Sequence, residues 1–293
     1  MLRGILDSFI NRRRSVIKPS TAPPSPSINP SSLPSTIAMA AVRVAIVTGA
    51  AQGIGRAIAI RLAEDGMDVA INDLESQRHN LEAVREVILA RGRKSLVFTG
   101  DMSDEQTVKT MISTVAENLG GVDVMVANAG ICRQKTVLET TTEEWDRIFR
   151  INARSVFLSY KYAAQQMIAQ GRGGRIIGAS SGAGKEAVPM LGAYASTKAA
   201  IRAITQASAL EWGKHGITVN CYAPGAIETN MTRALGEPFG GAHILFDEER
   251  KKTACGYIGK PEDVAVLVSY LASLESHFMT GQWIPINGGR QFE

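Results

Sequence analysis

Short apolar runs alternate with amphipathic stretches along most of the chain, and the alternation starts abruptly near Arg43. Residues 44–48 form an apolar run that ends in glycines, and Ile54, Ile58, Ile60, Leu62 and Ala63 follow in a helical pattern. That is a strand, a tight turn and a helix. A second run over residues 68–71 ends in Asn72 and Asp73, a helix is expected over residues 78–91, and a third strand over residues 95–98. Residues 122–127, 174–179 and 216–222 read as three more strands separated by long helical stretches, and residues 283–286 as a short seventh. Strands that alternate with helices imply right-handed crossovers, hence a parallel sheet covered on both faces. The expected fold is α/β, a doubly wound parallel sheet of seven strands in one domain over residues 41–293.

Residues 1–40 have a different texture. Ser and Pro dominate from Ser20 to Ser35 with no hydrophobic period, so this part is expected to be disordered. Before it, Leu2, Ile5, Leu6, Phe9 and Ile10 share one helical face, with Arg3 and the run Arg12 to Arg14 on or beyond the other, a pattern that resembles a mitochondrial presequence. Asp7 is out of character there, and Met39 begins a segment that looks like an ordinary protein start. Three readings therefore stand: a targeting segment, a disordered extension, or an upstream start codon.

Composition narrows the function. The net charge of +4 comes from Arg3, Arg12, Arg13, Arg14 and Lys18 against Asp7 in the first twenty residues, and the remainder is nearly neutral, so no nucleic-acid partner is expected. Cys132, Cys221 and Cys255 are odd in number and form no CxxC pair, and His79, His215, His243 and His277 lack ligand spacing. Neither a disulfide framework nor a metal site is expected. No run approaches the ~20 apolar residues that span a bilayer. The cytoplasm is the expected location, or the mitochondrial matrix if residues 1–40 are a presequence.

The segment TGAAQGIG at residues 48–55 lies between the first strand and its helix. Gly49, Gly53 and Gly55 let the backbone turn sharply and approach a pyrophosphate, with Gln52 and Ile54 in the same turn and the helix amides holding the charge. With the strand, turn and helix in place, this is a Rossmann-type dinucleotide site. Asp73 ends the second strand eighteen positions after Gly55, where a carboxylate can accept from both adenosine ribose hydroxyls; the alternative is a helix N-cap. A 2′-phosphate about 4 Å from it would be repelled by a few kcal/mol at an effective dielectric near 20, so NAD is favoured over NADP. Arg78 is the one nearby cation, and five residues on it is expected to point to solvent.

Tyr194 and Lys198 in YASTK are four residues apart, hence one helical turn apart on the same face. A tyrosine near pKa 10 needs a stabilised phenolate to carry protons at neutral pH, which a nearby ammonium and a cationic nicotinamide ring can supply. Their spacing alone carries little. The set TGAAQGIG, NAG at residues 128–130, Asn152, Ser181 thirteen residues before Tyr194, YASTK, and Pro224-Gly225 with Thr229, in this order over residues 43–290, resembles the short-chain dehydrogenase/reductase family. The resemblance implies that Tyr194 is the general acid/base, that Lys198 lowers its pKa and holds the nicotinamide ribose, that Ser181 binds the substrate oxygen, and that Asn152, inside a helix, supports a water chain from Lys198. It also implies Asp101 and Met102 at the adenine, Asn128 beside a cofactor ribose, and Ile227 and Thr229 at the carboxamide. From its position alone, Asp101 reads equally as the N-cap of a helix starting near Ser103. The adjacent Ser180 reads as structural.

The expected reaction interconverts a ketone and a secondary alcohol. The order of the motifs is most similar to diacetyl/acetoin reductases and polyol dehydrogenases, with 3-oxoacyl-thioester reductases and tailoring reductases of secondary metabolism as alternatives. A catalytically silent cofactor-binding scaffold is the alternative of another class, and the intact tetrad speaks against it. Residues 229–256 are expected to be a long irregular flap whose Met231, Leu235, Phe239, Ile244 and Phe246 either line a pocket or pack on the domain. Alanine-rich helices following Ile151 and Tyr194 suggest a homotetramer or homodimer.

Overall fold

The computed structural model describes residues 42–292, so the expected N-terminal extension over residues 1–40 lies outside the described residues. The strands are β1 (Val44–Thr48), β2 (Asp68–Asp73), β3 (Ser95–Thr99), β4 (Val124–Ala127), β5 (Gly174–Ala179), β6 (Ile217–Pro224) and β7 (Trp283–Ile286). All pair in parallel, in the order β3-β2-β1-β4-β5-β6-β7. All seven expected strands are present, with β2 reaching two residues further to Asp73, β4 starting at Val124 and β6 running on to Pro224. The order reverses between β1 and β4, which opens a crevice beyond their carboxyl ends.

The helices are α1 (Gly53–Glu64), α2 (Arg78–Leu89), α3 (Glu105–Leu119), α4 (Thr142–Phe149), α5 (Ser155–Gln170), α6 (Gly192–Trp212), α7 (Asn230–Gly236), α8 (Ala242–Lys252) and α9 (Pro261–Ala272). Sheet side chains alternate between two cores. Ala45, Val47, Val69, Ile71 and Val126 pack with α1, α2 and α9, while Val44, Ile46, Ala70, Met125 and Val219 pack with α3, α5 and α6. A sheet buried on both faces needs unbroken apolar strands, which is why β1 reads as a run rather than as an alternation. Each such Val or Ile contributes about 1.5–3 kcal/mol on burial.

Local chemistry sets the helix ends. The Asp104 carboxylate accepts from Thr107 N at 2.7 Å, so α3 starts at Glu105 and the N-cap is Asp104, not Asp101; Gly120, left-handed at φ 91°, ends it. At the amino ends of the strands, Asp123 accepts from Val44 N at 2.8 Å and from Arg172 Nε at 2.7 Å. Arg43 and Arg175 donate to Ala272 O and Ser273 O, the carboxyl end of α9, at 2.7 and 3.0 Å. Cations suit a helix carboxyl end, where the last carbonyls are unpaired.

Two expectations are corrected. Residues 229–256 are not irregular: α7, a 3₁₀ turn at Glu237–Phe239 and α8 occupy most of the stretch. The string DEERKK at residues 247–252 explains α8, because Asp247–Arg250, Glu248–Lys251 and Glu249–Lys252 pair at i,i+3 with 2.5, 2.7 and 2.9 Å contacts. Asn152 is not in an ordinary α-helix but in a π turn, Arg150–Arg154, that joins α4 to α5. Among the described residues, no helix is long and apolar enough to cross a membrane, and no group of three or more His, Cys, Asp or Glu side chains is placed to hold a metal.

Candidate active site

The turn between β1 and α1 is packed too closely for side chains. A Cβ on Gly55 would stand 2.1 Å from Gly49 O, and one on Gly49, itself at φ +64°, would stand 2.9 Å from Ala129 Cα. Gln52 is the N-cap of α1 but makes no side-chain cap, so the first-turn amides are left for a ligand at the positive end of the helix. Across the crevice, Asp73 Oδ2 accepts from Ala51 N at 3.2 Å and Oδ1 from Leu74 N at 2.9 Å. Both bonds orient the carboxylate, and each oxygen keeps a lone pair. Arg78 does not simply point to solvent: it donates to both Glu75 oxygens at 2.6 and 2.9 Å and to Thr99 at 2.9 Å, which commits it elsewhere than to a phosphate.

The glycine turn, Gln52 and Asp73 line a groove of about 690 Å³, together with Met102, Asn128 and Thr229. Asp101 also lines it, with its carboxylate turned back to accept from Ser103 N at 2.8 Å. The glycine cradle, the uncapped amides and the paired acid fit a dinucleotide.

The groove continues into a cavity of about 120 Å³ that contains Ser181, Tyr194 and Lys198, and Ile54, Asn128, Gly130, Thr229 and Met231 line both spaces. β5 delivers Ser181, and α6 delivers Tyr194 and Lys198 from successive turns. Ser181 and Tyr194 face the same cavity, and the Ser181 hydroxyl accepts from Ala183 N at 3.2 Å. Lys198 Nζ donates to Ala179 O at 2.7 Å and lies 5.4 Å from the centre of the Tyr194 ring. Burial pushes Tyr194 well above its ordinary pKa, with the Cys132 thiol adding to the rise and the Ser181 hydrogen bond opposing it. Burial also pulls Lys198 down to about 8. Burial is the largest influence on the phenol, and the lowering that the resemblance implies calls on the cationic nicotinamide as well as on the ammonium one turn away.

Every residue expected at the site lines one of these two spaces except Asn152. Ile227 belongs to the smaller one. The Asn152 side chain is fully buried and committed: Oδ1 accepts from Ile131 N at 2.8 Å, and Nδ2 donates to Ile131 O and Thr197 Oγ1 at 2.9 and 3.2 Å. A side chain at Gly130 would meet Asn152 Oδ1 at 3.2 Å and Lys198 Nζ at 3.6 Å, so the two polar groups flank one bare glycine. Ser180 is structural as read: its hydroxyl donates to Lys198 O and accepts from Trp283 Nε1.

Some contributors escaped the sequence reading. Thr48 Oγ1 accepts from Asn128 N and Ala129 N, joining the ends of β1 and β4. Thr197, inside YASTK, reaches Asn152, and Leu74, Gln77 and Ile151 line the groove. The motif positions of Thr48, in TGAAQGIG, and Thr197, in YASTK, carried a signal, and those of Leu74, Gln77 and Ile151 did not. Of the five apolar flap residues, Met231 alone lines the cavities; Phe246 is buried in the domain, whereas Phe239 and Ile244 are largely exposed.

A family model described as "Enoyl-(Acyl carrier protein) reductase" matches residues 49–291. The chain is 52% identical to a short-chain dehydrogenase/reductase of Armillaria gallica over 86% of its own length and 97% of that protein. It is 41% identical to L-2,3-butanediol dehydrogenase of Corynebacterium glutamicum, over 84% and 98% of the two chains. Among solved structures, a short-chain dehydrogenase of Burkholderia cenocepacia in complex with NADP superposes with a TM-score of 0.78 at 36% identity, covering 85% and 97%. Carveol dehydrogenase of Mycobacterium avium in complex with NAD gives 0.81 at 28%, covering 86% and 98%. With the site's geometry, these similarities establish that the chain belongs to the short-chain dehydrogenase/reductase family, oxidoreductases that act on CH–OH groups with a nicotinamide cofactor.

Proposed function

We propose that this protein interconverts a small ketone and its secondary alcohol with NAD, diacetyl, acetoin or a polyol being the substrate class. The observation that carries the reading is the junction of the Ser181, Tyr194 and Lys198 cavity with the glycine-lined groove through shared walls. Similarity to a butanediol dehydrogenase supports the substrate class, and Asp73 on the groove wall supports NAD.

When bound, the nicotinamide supplies or accepts the hydride at the substrate carbon. Tyr194, kept protonated by burial, gives its proton to the carbonyl oxygen, and the Ser181 hydroxyl donates to the same oxygen as charge builds there. The Lys198 cation favours the tyrosinate that remains and binds the ribose, while the Asn152 strut fixes the loop at Ile131 beside it. Oxidation needs Tyr194 as the base, so it runs better at higher pH. Exposed Phe157 and Ile168 on α5 and Leu210 on α6 support a homotetramer or homodimer.

The deciding experiment follows the nicotinamide absorbance with diacetyl, acetoin, an acetoacetyl thioester and sugar ketones. Turnover of diacetyl or acetoin by at least about ten-fold in kcat/KM over the thioester is expected; the reverse order replaces the substrate class.

A further inference from the structure

The carboxyl ends of β6, β4 and β1 are joined by a hydrogen-bonded belt that has no place in the tetrad. Tyr222, fully buried on β6, stands opposite Ala179 on β5, and its hydroxyl donates to Asn128 Oδ1 at 2.8 Å just past the end of β4. Asn128 Nδ2 then donates to Thr48 O at 2.9 Å and Gly49 O at 3.1 Å, the first two residues of the phosphate turn. Main-chain bonds from Asn128 N and Ala129 N to Thr48 Oγ1 close the link from the other side.

This arrangement leaves one orientation of the Asn128 amide. Two carbonyls require its nitrogen on the β1 side, so its oxygen must face β6, where the Tyr222 hydroxyl is the donor it meets. The same nitrogen packs under the turn: a Cβ on Gly55 would come within 2.5 Å of it, and one on Gly49 within 3.0 Å. The small Ala179 at the register position between the outer strands leaves room for the tyrosine to reach across.

We propose that Tyr222 is a positioning residue for the cofactor, acting through Asn128 to hold the Thr48–Gly49 backbone in the shape that receives the pyrophosphate. Tyr222 lines the same cavity as Tyr194, but its proton is committed to Asn128 and so does not serve as a second acid. The inference rests on the reading of the groove as the dinucleotide site. Its effect belongs to cofactor affinity, whereas that of Tyr194 belongs to the chemical step.

The test is NADH binding to the full-length protein, read by fluorescence titration, for wild type, Tyr222→Phe, Asn128→Ala and the double variant. Tyr222→Phe leaves a buried amide oxygen without its donor, and the expected result is a Kd for NADH raised about ten-fold or more. The rise appears equally in KM for NADH, with the pH profile of kcat at saturating NADH unmoved. Adding Tyr222→Phe to Asn128→Ala weakens NADH no further, since both act through one group. Tyr160→Phe removes an equally buried hydroxyl from the other core and serves as control. An unchanged Kd in Tyr222→Phe, full additivity with Asn128→Ala, or a shifted pH profile overturns the proposal. If Tyr222→Phe does not fold, Asn128→Asp keeps the acceptor for Tyr222 and loses both donors to the turn, and a Kd within two-fold of wild type overturns it instead. Absence of NADH and NADPH binding by the wild type would strike the cofactor reading itself, a separate failure.

Discussion

Lys198 Nζ is bonded to Ala179 O at 2.7 Å, so the ammonium one helical turn from Tyr194 is fixed by the backbone of β5, the strand that also leads into Ser181. One strand end thereby helps to position both Ser181 and Lys198. The cation is nevertheless buried, and burial alone would make a lysine a poor cation.

Lys198 gives a pH signature in stability. Its pKa falls from 10.5 to about 8 on folding, so between those values the unfolded chain binds more protons than the folded one, and stability from this group rises with pH. Below pH 8 the folded state bears the cost of the buried charge, on the order of 3 kcal/mol. Urea unfolding of wild type and Lys198→Met from pH 7 to 10.5 should therefore show wild type gaining on the variant above pH 8. A gap independent of pH would mean that the lysine is not desolvated.

Tyr194→Phe should lower kcat by about 10³-fold or more, the scale of a lost general acid together with its bond to the substrate oxygen. NADH binding should stay within about three-fold of wild type, because the phenol meets the substrate side of the cavity. Steady-state kinetics and a binding titration measure the two effects separately. Activity within ten-fold of wild type would remove Tyr194 from the chemistry.

Asp73→Asn keeps an acceptor for Ala51 N and removes the charge. The ratio of kcat/KM for NADPH to that for NADH should rise at least about ten-fold, as a fraction of the few kcal/mol of repulsion is relieved. A parent enzyme that already prefers NADPH would show that the carboxylate does not face the ribose.

Two glycines should respond in opposite ways. Gly55→Ala forces a Cβ to 2.1 Å from Gly49 O and should abolish NADH binding and cost more than about 3 kcal/mol of stability. Gly213, at φ −55° with open space around it, should accept alanine and gain about 0.5 kcal/mol by restricting the unfolded chain. Thermal melts and NADH titrations decide both.

The sequence carried the parts of this molecule that repeat or sit close together. Continuous apolar runs such as residues 44–48 reveal a doubly covered sheet, and the glycine turn and Asp73 follow from strand and helix order. The flap was misread because its order comes from i,i+3 ion pairs and not from an apolar stripe. The π turn at Asn152 was hidden because a single extra residue in a helical turn leaves no periodic trace. Tyr222 and Asn128 are 94 positions apart, and nothing local in either segment announces the bond. Spacing gives the proximity of Lys198 to Tyr194, whereas the burial that shifts both groups is not legible in it.

The ties among Arg43, Asp123, Arg172, Arg175 and the end of α9 give the molecule two poles. These bonds tie the amino ends of the strands to α9, at the opposite end of the sheet from the glycine turn and the Tyr194 cavity. Substitutions at one pole can therefore harden the scaffold while drift in the flap at the other changes what is bound, so persistence and specificity are free to evolve on separate schedules.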